Sequence, residues 1–95
     1  MRVAPYARFG TGELAAGAVA GLAGRTAVIL ANHGALACGA SLSQAYDRAR
    51  TLEWLARVYW YARQAGHPRT LTVAQLDEVR DRIREAGYGE PHQDR

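Results

Sequence analysis

A histidine follows the most apolar segment of this 95-residue chain and stands between two turn-forming residues. The segment Ala27–Ala31 is aliphatic, and Asn32, His33 and Gly34 come directly after it. Asparagine and glycine both tolerate positive φ, so the simplest interpretation is a tight turn whose imidazole hydrogen-bonds the backbone. The alternative is a metal ligand, because a neutral imidazole is a common donor to divalent ions such as zinc.

No second donor accompanies His33 at a metal-ligand spacing. His67 belongs to a Gly-His-Pro linker and His92 to the C-terminal tail. The single Cys38 lies in an apolar run, which is typical of a buried thiol and of a reducing, cytoplasmic setting. Ser41 suits a helix cap better than a nucleophile. Because the chain offers no catalytic triad and no phosphate-binding loop, spacing alone favours the turn over the metal site.

The charge pattern does not indicate a nucleic-acid partner. All 12 basic residues are arginines, the net charge is +3, and the arginines alternate with acids along apparent helices instead of clustering. The apolar stretch Leu14–Leu22 is rich in Ala and Gly and is broken at Arg25, short of the roughly 20 residues that span a bilayer. We therefore expect no nucleic acid, no membrane and a cytoplasmic location.

Three extended segments are predicted, two of them joined as a hairpin. Arg2–Ala7 contains a proline and suits an edge strand. Thr26–Ala31 lacks alternation, which predicts a strand covered on both faces. Ala35–Cys38 returns antiparallel to it, because three intervening residues cannot cross over to a parallel neighbour.

Capping residues and glycines delimit three helices. Thr11 caps the first, Ser41 with Gln44 forms a capping-box pattern before the second, and Thr72 with Gln75 repeats that pattern before the third. Glycines close each helix. The predicted helices run from Thr11 to Gly24, from Leu42 to about Ala65, and from Thr72 to Gly87.

These elements predict one partial α/β domain over residues 1–95, with residues 88–95 as a flexible tail. Two or three strands make a very small sheet, and the large aliphatic residues are few. A buried strand needs cover on both faces and neighbours on both edges. We therefore expect the sheet to require strands from outside this chain.

The string VILANHGALACGASLSQAYDRARTLEWLARVYWYA resembles the C-terminal half of the class II aldolase/adducin family, nearest to its L-fuculose-phosphate aldolase branch. The family pattern is a strand ending in Asn-His-Gly, a short return strand ending in Gly, and a long helix that opens with Leu and contains Glu. The flanking VAPYARFGTGEL and GHPRTLTVAQLDEVRDRIREAGYG are also similar. The matching pattern residues here are Asn32, His33, Gly34, Gly39, Leu42 and Glu53.

The resemblance implies a partial three-layer αβα fold and a divalent metal site, usually zinc, with His33 as one of three imidazole ligands. The other two come from a His-x-His pair that this chain lacks, as it lacks the family's acid/base glutamate and phosphate-binding residues. Tyr88 resembles a C-terminal tyrosine implicated in protonating a reaction intermediate. The plainer interpretation of Tyr88 is packing against the end of the last helix.

The resemblance also implies an activity. We expect the C-terminal portion of a zinc-dependent aldolase that cleaves a phosphorylated ketose, of the L-fuculose-1-phosphate type, to dihydroxyacetone phosphate and an aldehyde, and that is inactive alone. The alternatives are a non-catalytic adducin-like interaction module and an epimerase or dehydratase of the same family. Expected partners are a sugar phosphate and further copies of the chain, tetrameric in the family, or a separate N-terminal half.

Overall fold

A computed structural model describes residues 1–87, and the chain divides into two compact units, Met1–Ala65 and a second that begins at Gly66. The first unit holds five elements, and the described part of the second holds one helix. The elements in chain order are β1 (Val3–Ala4), α1 (Gly12–Leu22), β2 (Ala27–Leu30), β3 (Gly34–Ala37), α2 (Leu42–Ala65) and α3 (Val73–Glu85). The predicted α/β class is confirmed, whereas the predicted tail 88–95 lies outside the described residues.

The three strands form one mixed sheet in the order β1-β2-β3. The β1 strand pairs with β2 in parallel, with Val3 opposite Ile29, and α1 provides the crossover that a parallel pair requires. The β2 and β3 strands pair antiparallel, with Leu30 opposite Gly34, so the predicted hairpin is confirmed. The turn follows the expected chemistry, because Asn32 has a φ of 66° and Gly34 a φ of 143°.

The contact between α1 and the sheet is very close. A Cβ built on Gly21 would clash with Cγ2 of Val28, and one on Gly17 would lie 3.8 Å from Cβ of Ala4. Val28 is fully buried. Because a glycine replaces a side chain at the crossing, the α1 backbone approaches β2 closely enough to bury that valine.

The core is as thin as the composition predicted. Its buried hydrophobic residues are Ala4, Ala7, Val28 and Leu52. The prediction that the central strand is covered on both faces is only partly right, because the neighbours of Val28 in β2 are partly exposed. Cys38 was predicted to be a buried thiol, and this prediction is wrong: its residue is exposed, since it follows the edge strand β3.

The long helix α2 has the predicted bounds and the predicted Ser41 cap, but one half of the predicted capping box differs and little of the helix is buried. Ser41 Oγ accepts a hydrogen bond from the Gln44 amide at 3.2 Å, while Gln44 Oε1 accepts from the amide of Ala40 instead of Ser41. Leu52 is the one buried residue of α2, and the other large apolar side chains of this helix are exposed, with Leu42 at 86%.

The second unit is described by α3. The predicted capping box is confirmed, because Thr72 Oγ1 accepts from the Gln75 amide and the Gln75 side chain accepts from the Thr72 amide. Gly87 has a φ of 67°, which suits the predicted helix end. Every residue of α3 is exposed. Within residues 1–87, no helix has both the length and the apolar character needed to span a bilayer.

Candidate functional site

His33 lies at the apex of the β2–β3 hairpin, and its residue is exposed. The turn is closed by its own backbone, since the His33 amide donates to the carbonyl of Leu30 at 3.0 Å. Positive φ values on both sides, at Asn32 and Gly34, bring the chain round within three residues. The turn thus presents the imidazole at the end of a paired strand, where the backbone is held by the sheet.

Two groups from the β1–α1 loop contact the imidazole. The Nε2 atom lies 2.7 Å from the carbonyl oxygen of Ala7, and the Tyr6 ring stacks on the imidazole with centroids 5.5 Å apart and planes at 16°. A carbonyl oxygen can only accept, so Nε2 carries the proton and donates it. In the neutral form of the ring the lone pair is then on Nδ1, which is the atom able to bind a cation.

The loop that carries Tyr6 and Ala7 is itself held. Ala7 is buried, and the Thr11 hydroxyl donates to the carbonyl of Arg8 at 2.6 Å while it accepts from the amide of Leu14. The helix cap and the loop are thus joined through one hydroxyl. This arrangement gives the Ala7 carbonyl a fixed position beside His33.

Sequence reasoning identified His33 but missed Tyr6 and Ala7 as its neighbours. A signal existed in the topology: neighbouring parallel strands end at the same edge of a sheet, Tyr6 follows β1, and His33 follows β2. The prediction lacked the parallel pairing of β1 with β2. Without that pairing, two segments 26 residues apart could not be placed together.

An open depression of about 560 Å³ lies in front of the imidazole and is lined by Tyr6, Asn32 and His33. Among residues 1–87 there is no group of three or more His, Cys, Asp or Glu side chains that could hold a metal ion. The one imidazole lining this depression is that of His33. That fits one ligand of a metal site and does not fit a complete site.

Of the other candidate residues, Ser41 and Glu53 lie in the first unit and make contacts other than with His33. Tyr88 lies outside the described residues, so its role stays a prediction. His67 lies in the linker before α3, and Ser41 caps α2 as predicted. Glu53 lies 4.0 Å from Arg57 on the exposed surface of α2, which agrees with a structural role.

Comparison with known proteins now assigns the family. Residues 1–60 match the family described as the class II aldolase and adducin N-terminal domain. The chain belongs to this family, and the sequence-based assignment is confirmed at that level.

Particular relatives are sugar-phosphate aldolases. The chain is 34% identical over 95% of its length to "5-deoxy-D-ribulose 1-phosphate aldolase" of Bacillus thuringiensis, and it covers 41% of that protein. It is 37% identical over 92% of its length to "5-methylthioribulose-1-phosphate/5-deoxyribulose-1-phosphate aldolase" of Rhodospirillum rubrum, covering 39% of that protein. A solved structure of L-fuculose 1-phosphate aldolase matches 87% of the chain with a TM-score of 0.80 and 37% identity, and the match covers 39% of that structure.

These matches refine the sequence-based assignment. The L-fuculose phosphate aldolase of Escherichia coli K12 is 43% identical but matches only 59% of the chain, whereas the two deoxyribulose-phosphate aldolases match almost all of it. The chain is thus similar to the fuculose-phosphate aldolases, but the matches do not favour them over the deoxyribulose-phosphate aldolases. The chain spans about 40% of the length of the relatives that it matches most fully.

Proposed function

We propose that this chain supplies the metal-binding histidine His33 to a zinc-dependent aldolase that cleaves a ketose 1-phosphate. The observation that supports the proposal is the position of His33: an accessible imidazole at a strand end, with Nε2 donating to the Ala7 carbonyl and Nδ1 making no hydrogen bond within residues 1–87. The reaction class is supported by the match of almost the whole of this chain to aldolases.

The reaction follows from the structure of such a sugar. A ketose 1-phosphate has a carbonyl at C2 and a hydroxyl at C4, so the bond between C3 and C4 can break by reversal of an aldol addition. The C4 hydroxyl loses its proton and becomes an aldehyde, the electron pair of the broken bond passes toward the C2 carbonyl, and C3 then takes up a proton. Dihydroxyacetone phosphate and an aldehyde leave, without net oxidation.

His33 would contribute charge and geometry to this reaction. A neutral imidazole donor leaves the positive charge of a divalent ion intact. When bound, such an ion stabilises negative charge that develops on a substrate oxygen. The described residues provide one donor, and in this proposal the other two imidazoles and the acid/base glutamate come from the part of the protein that this chain does not span. Tyr88 is proposed to supply the proton that C3 takes up.

For the substrate, we infer 5-deoxyribulose 1-phosphate ahead of L-fuculose 1-phosphate. The relatives named for the former match 92% and 95% of the chain, and the Escherichia coli K12 fuculose enzyme matches 59%. Cleavage of either sugar gives the same three-carbon ketone phosphate. They differ in the aldehyde, which has two carbons from the five-carbon sugar and three from the six-carbon sugar, so the aldehyde pocket would decide between them.

A chimera tests the proposal. The segment of the Rhodospirillum rubrum aldolase that matches this chain is replaced by residues 1–95, and zinc content and dihydroxyacetone phosphate release are measured with both sugars. Losing the partner of a ligating histidine costs about 10- to 100-fold in metal affinity, so losing the ligand itself by His33→Ala should cost at least about 100-fold, together with activity. His67→Ala is the matched control and should change neither quantity.

The same chimera separates the alternatives. Zinc content unaffected by His33→Ala would remove His33 from the site. A folded chimera that binds zinc through His33 but cleaves neither sugar would favour the adducin-like module or another reaction of the family. Tyr88→Phe should lower release by about 100-fold with zinc content unchanged, because general acid catalysis contributes about 10²–10⁴-fold. Unchanged release would assign Tyr88 to packing.

A further inference from the structure

The imidazole of His33 is restrained in two different ways by one loop. The Ala7 carbonyl accepts from the ring edge at Nε2, and the Tyr6 ring stacks against the imidazole with centroids 5.5 Å apart. We propose that Tyr6 is a positioning residue for His33, one that fixes the plane of the imidazole and so the direction in which Nδ1 points. This inference rests on the proposed function of His33 as a metal ligand.

The hydrogen bond alone would not fix the ring. It restrains one atom, and the ring can still swing about its side-chain torsions while Nε2 stays near the carbonyl. An imidazole on an exposed turn loses that freedom only if a second group limits the ring plane. The stacked Tyr6 ring, 16° from parallel, is such a group, and stacked aromatic pairs contribute about 0.5–1.5 kcal/mol beyond their buried area.

The parallel pairing of β1 with β2 explains why Tyr6 can do this. The Ala31 amide donates to the carbonyl of Ala4 at 3.2 Å, so the two strands remain paired up to the point where both segments leave the sheet. Tyr6 lies two residues beyond Ala4, and His33 lies two residues beyond Ala31. The two rings therefore stack at the shared strand end, on backbone that is held by the sheet.

The contact is made by the face of the Tyr6 ring, which predicts what a substitution must keep. Tyr6→Phe retains the face and loses the hydroxyl, so it should position His33 as the native residue does. Tyr6→Leu retains an apolar side chain of similar reach but has no ring, so it should leave the imidazole plane unrestrained. If Tyr6 served only for general packing, Tyr6→Phe and Tyr6→Leu would have the same effect on the orientation of the His33 ring.

Nuclear magnetic resonance of the 95-residue chain tests the proposal without metal first. In the unsubstituted chain we expect a nuclear Overhauser effect between the Tyr6 and His33 rings, and His33 ring protons shifted upfield by the stacked ring. Tyr6→Phe should keep the upfield shift and Tyr6→Leu should lose it. Absence of both signals in the unsubstituted chain would overturn the proposal and needs no variant that might unfold.

Zinc ion is then titrated while the ring protons of His33 and His67 are followed. Tyr6→Leu should weaken the apparent zinc affinity at His33 by about 2- to 10-fold, the equivalent of the stacking energy, and Tyr6→Phe should restore it. The affinity at His67 should be the same in all three chains. Equal zinc affinity at His33 in Tyr6→Leu, or a Tyr6→Phe variant as weak as Tyr6→Leu, would overturn the proposal. A persistent ring shift with no zinc binding at His33 in the chimera would instead overturn the proposed function.

Discussion

The contact between α1 and the sheet differs sharply from the surface of α2. At the first, Gly21 lets the helix backbone reach Val28, and the Arg2 guanidinium donates to the carbonyl of Ala20 at 3.2 Å. At the second, Leu52 is the one buried residue of 24, while Trp54 and Trp60 are 63% and 64% exposed. The two helices belong to the same unit and each buries one residue, Gly21 in α1 and Leu52 in α2, but α2 also carries two tryptophans that lie mostly exposed.

The difference shows which packing the chain completes by itself. Large aromatic side chains normally contribute to cores and interfaces, because each buries a large apolar area. On α2 they lie exposed, whereas α1 achieves close contact with residues no larger than valine and leucine. The chain spans about 40% of the length of the two deoxyribulose-phosphate aldolases. An incompletely covered long helix is consistent with a part of such a larger fold.

The largest change in unfolding free energy is expected from Leu52→Ala, which tests how α2 is held. If α2 is held to the sheet mainly through Leu52, truncation should lower the free energy of unfolding by about 2–4 kcal/mol, as for other buried leucines. Leu42→Ala is the matched control on the same helix and should change it by less than about 0.5 kcal/mol. Urea unfolding measures both. Equal effects would mean that α2 is covered elsewhere along its length.

Gly21→Ala tests the other region. The added methyl group clashes with Val28, so we expect a loss of about 1–3 kcal/mol from overpacking. Gly17→Ala places its methyl at an ordinary 3.8 Å from Ala4 and should be neutral or gain up to about 1 kcal/mol from helix propensity. Thermal unfolding of the pair gives the answer. A stable Gly21→Ala variant would show that the α1 contact can shift apart.

The caps of α1 and α2 allow the same comparison with smaller expected effects. Thr11 Oγ1 both caps α1 and donates to Arg8, whereas Ser41 Oγ only caps α2. Replacing a capping residue by alanine costs about 0.5–2 kcal/mol, so Thr11→Ala should lie near the upper end and Ser41→Ala near the lower end. Chemical unfolding of both variants checks the order. A larger loss from Ser41→Ala would contradict the tighter packing of the α1 region.

The smallest effect is expected at the surface of α2. Glu53 and Arg57 approach to 4.0 Å, with both side chains more than 60% exposed. Exposed pairs at this spacing contribute about 0.3–0.5 kcal/mol, so Glu53→Gln should lower the unfolding free energy by no more than that, and high salt should remove the difference. A loss of 1 kcal/mol or more would give Glu53 a role beyond this pair.

Local chemistry predicted the elements well because caps and turns act over a few residues. The Asn32–Gly34 turn, the Thr72–Gln75 capping box and the bounds of α2 all appear as expected. Burial was predicted less well. Cys38 lies in an apolar run and yet is exposed, since burial depends on what packs against an element and not on its own composition.

The amino-acid sequence by itself determined the family, the order of helices and strands, and His33 as the candidate ligand. Those features are carried by short motifs whose meaning does not depend on distant residues. Only the tertiary structure decided that Tyr6 and Ala7 surround His33, and that Nδ1 is the nitrogen left to accept a cation. That placement required the parallel pairing of β1 with β2, a contact between segments far apart in the chain, which no local pattern specifies.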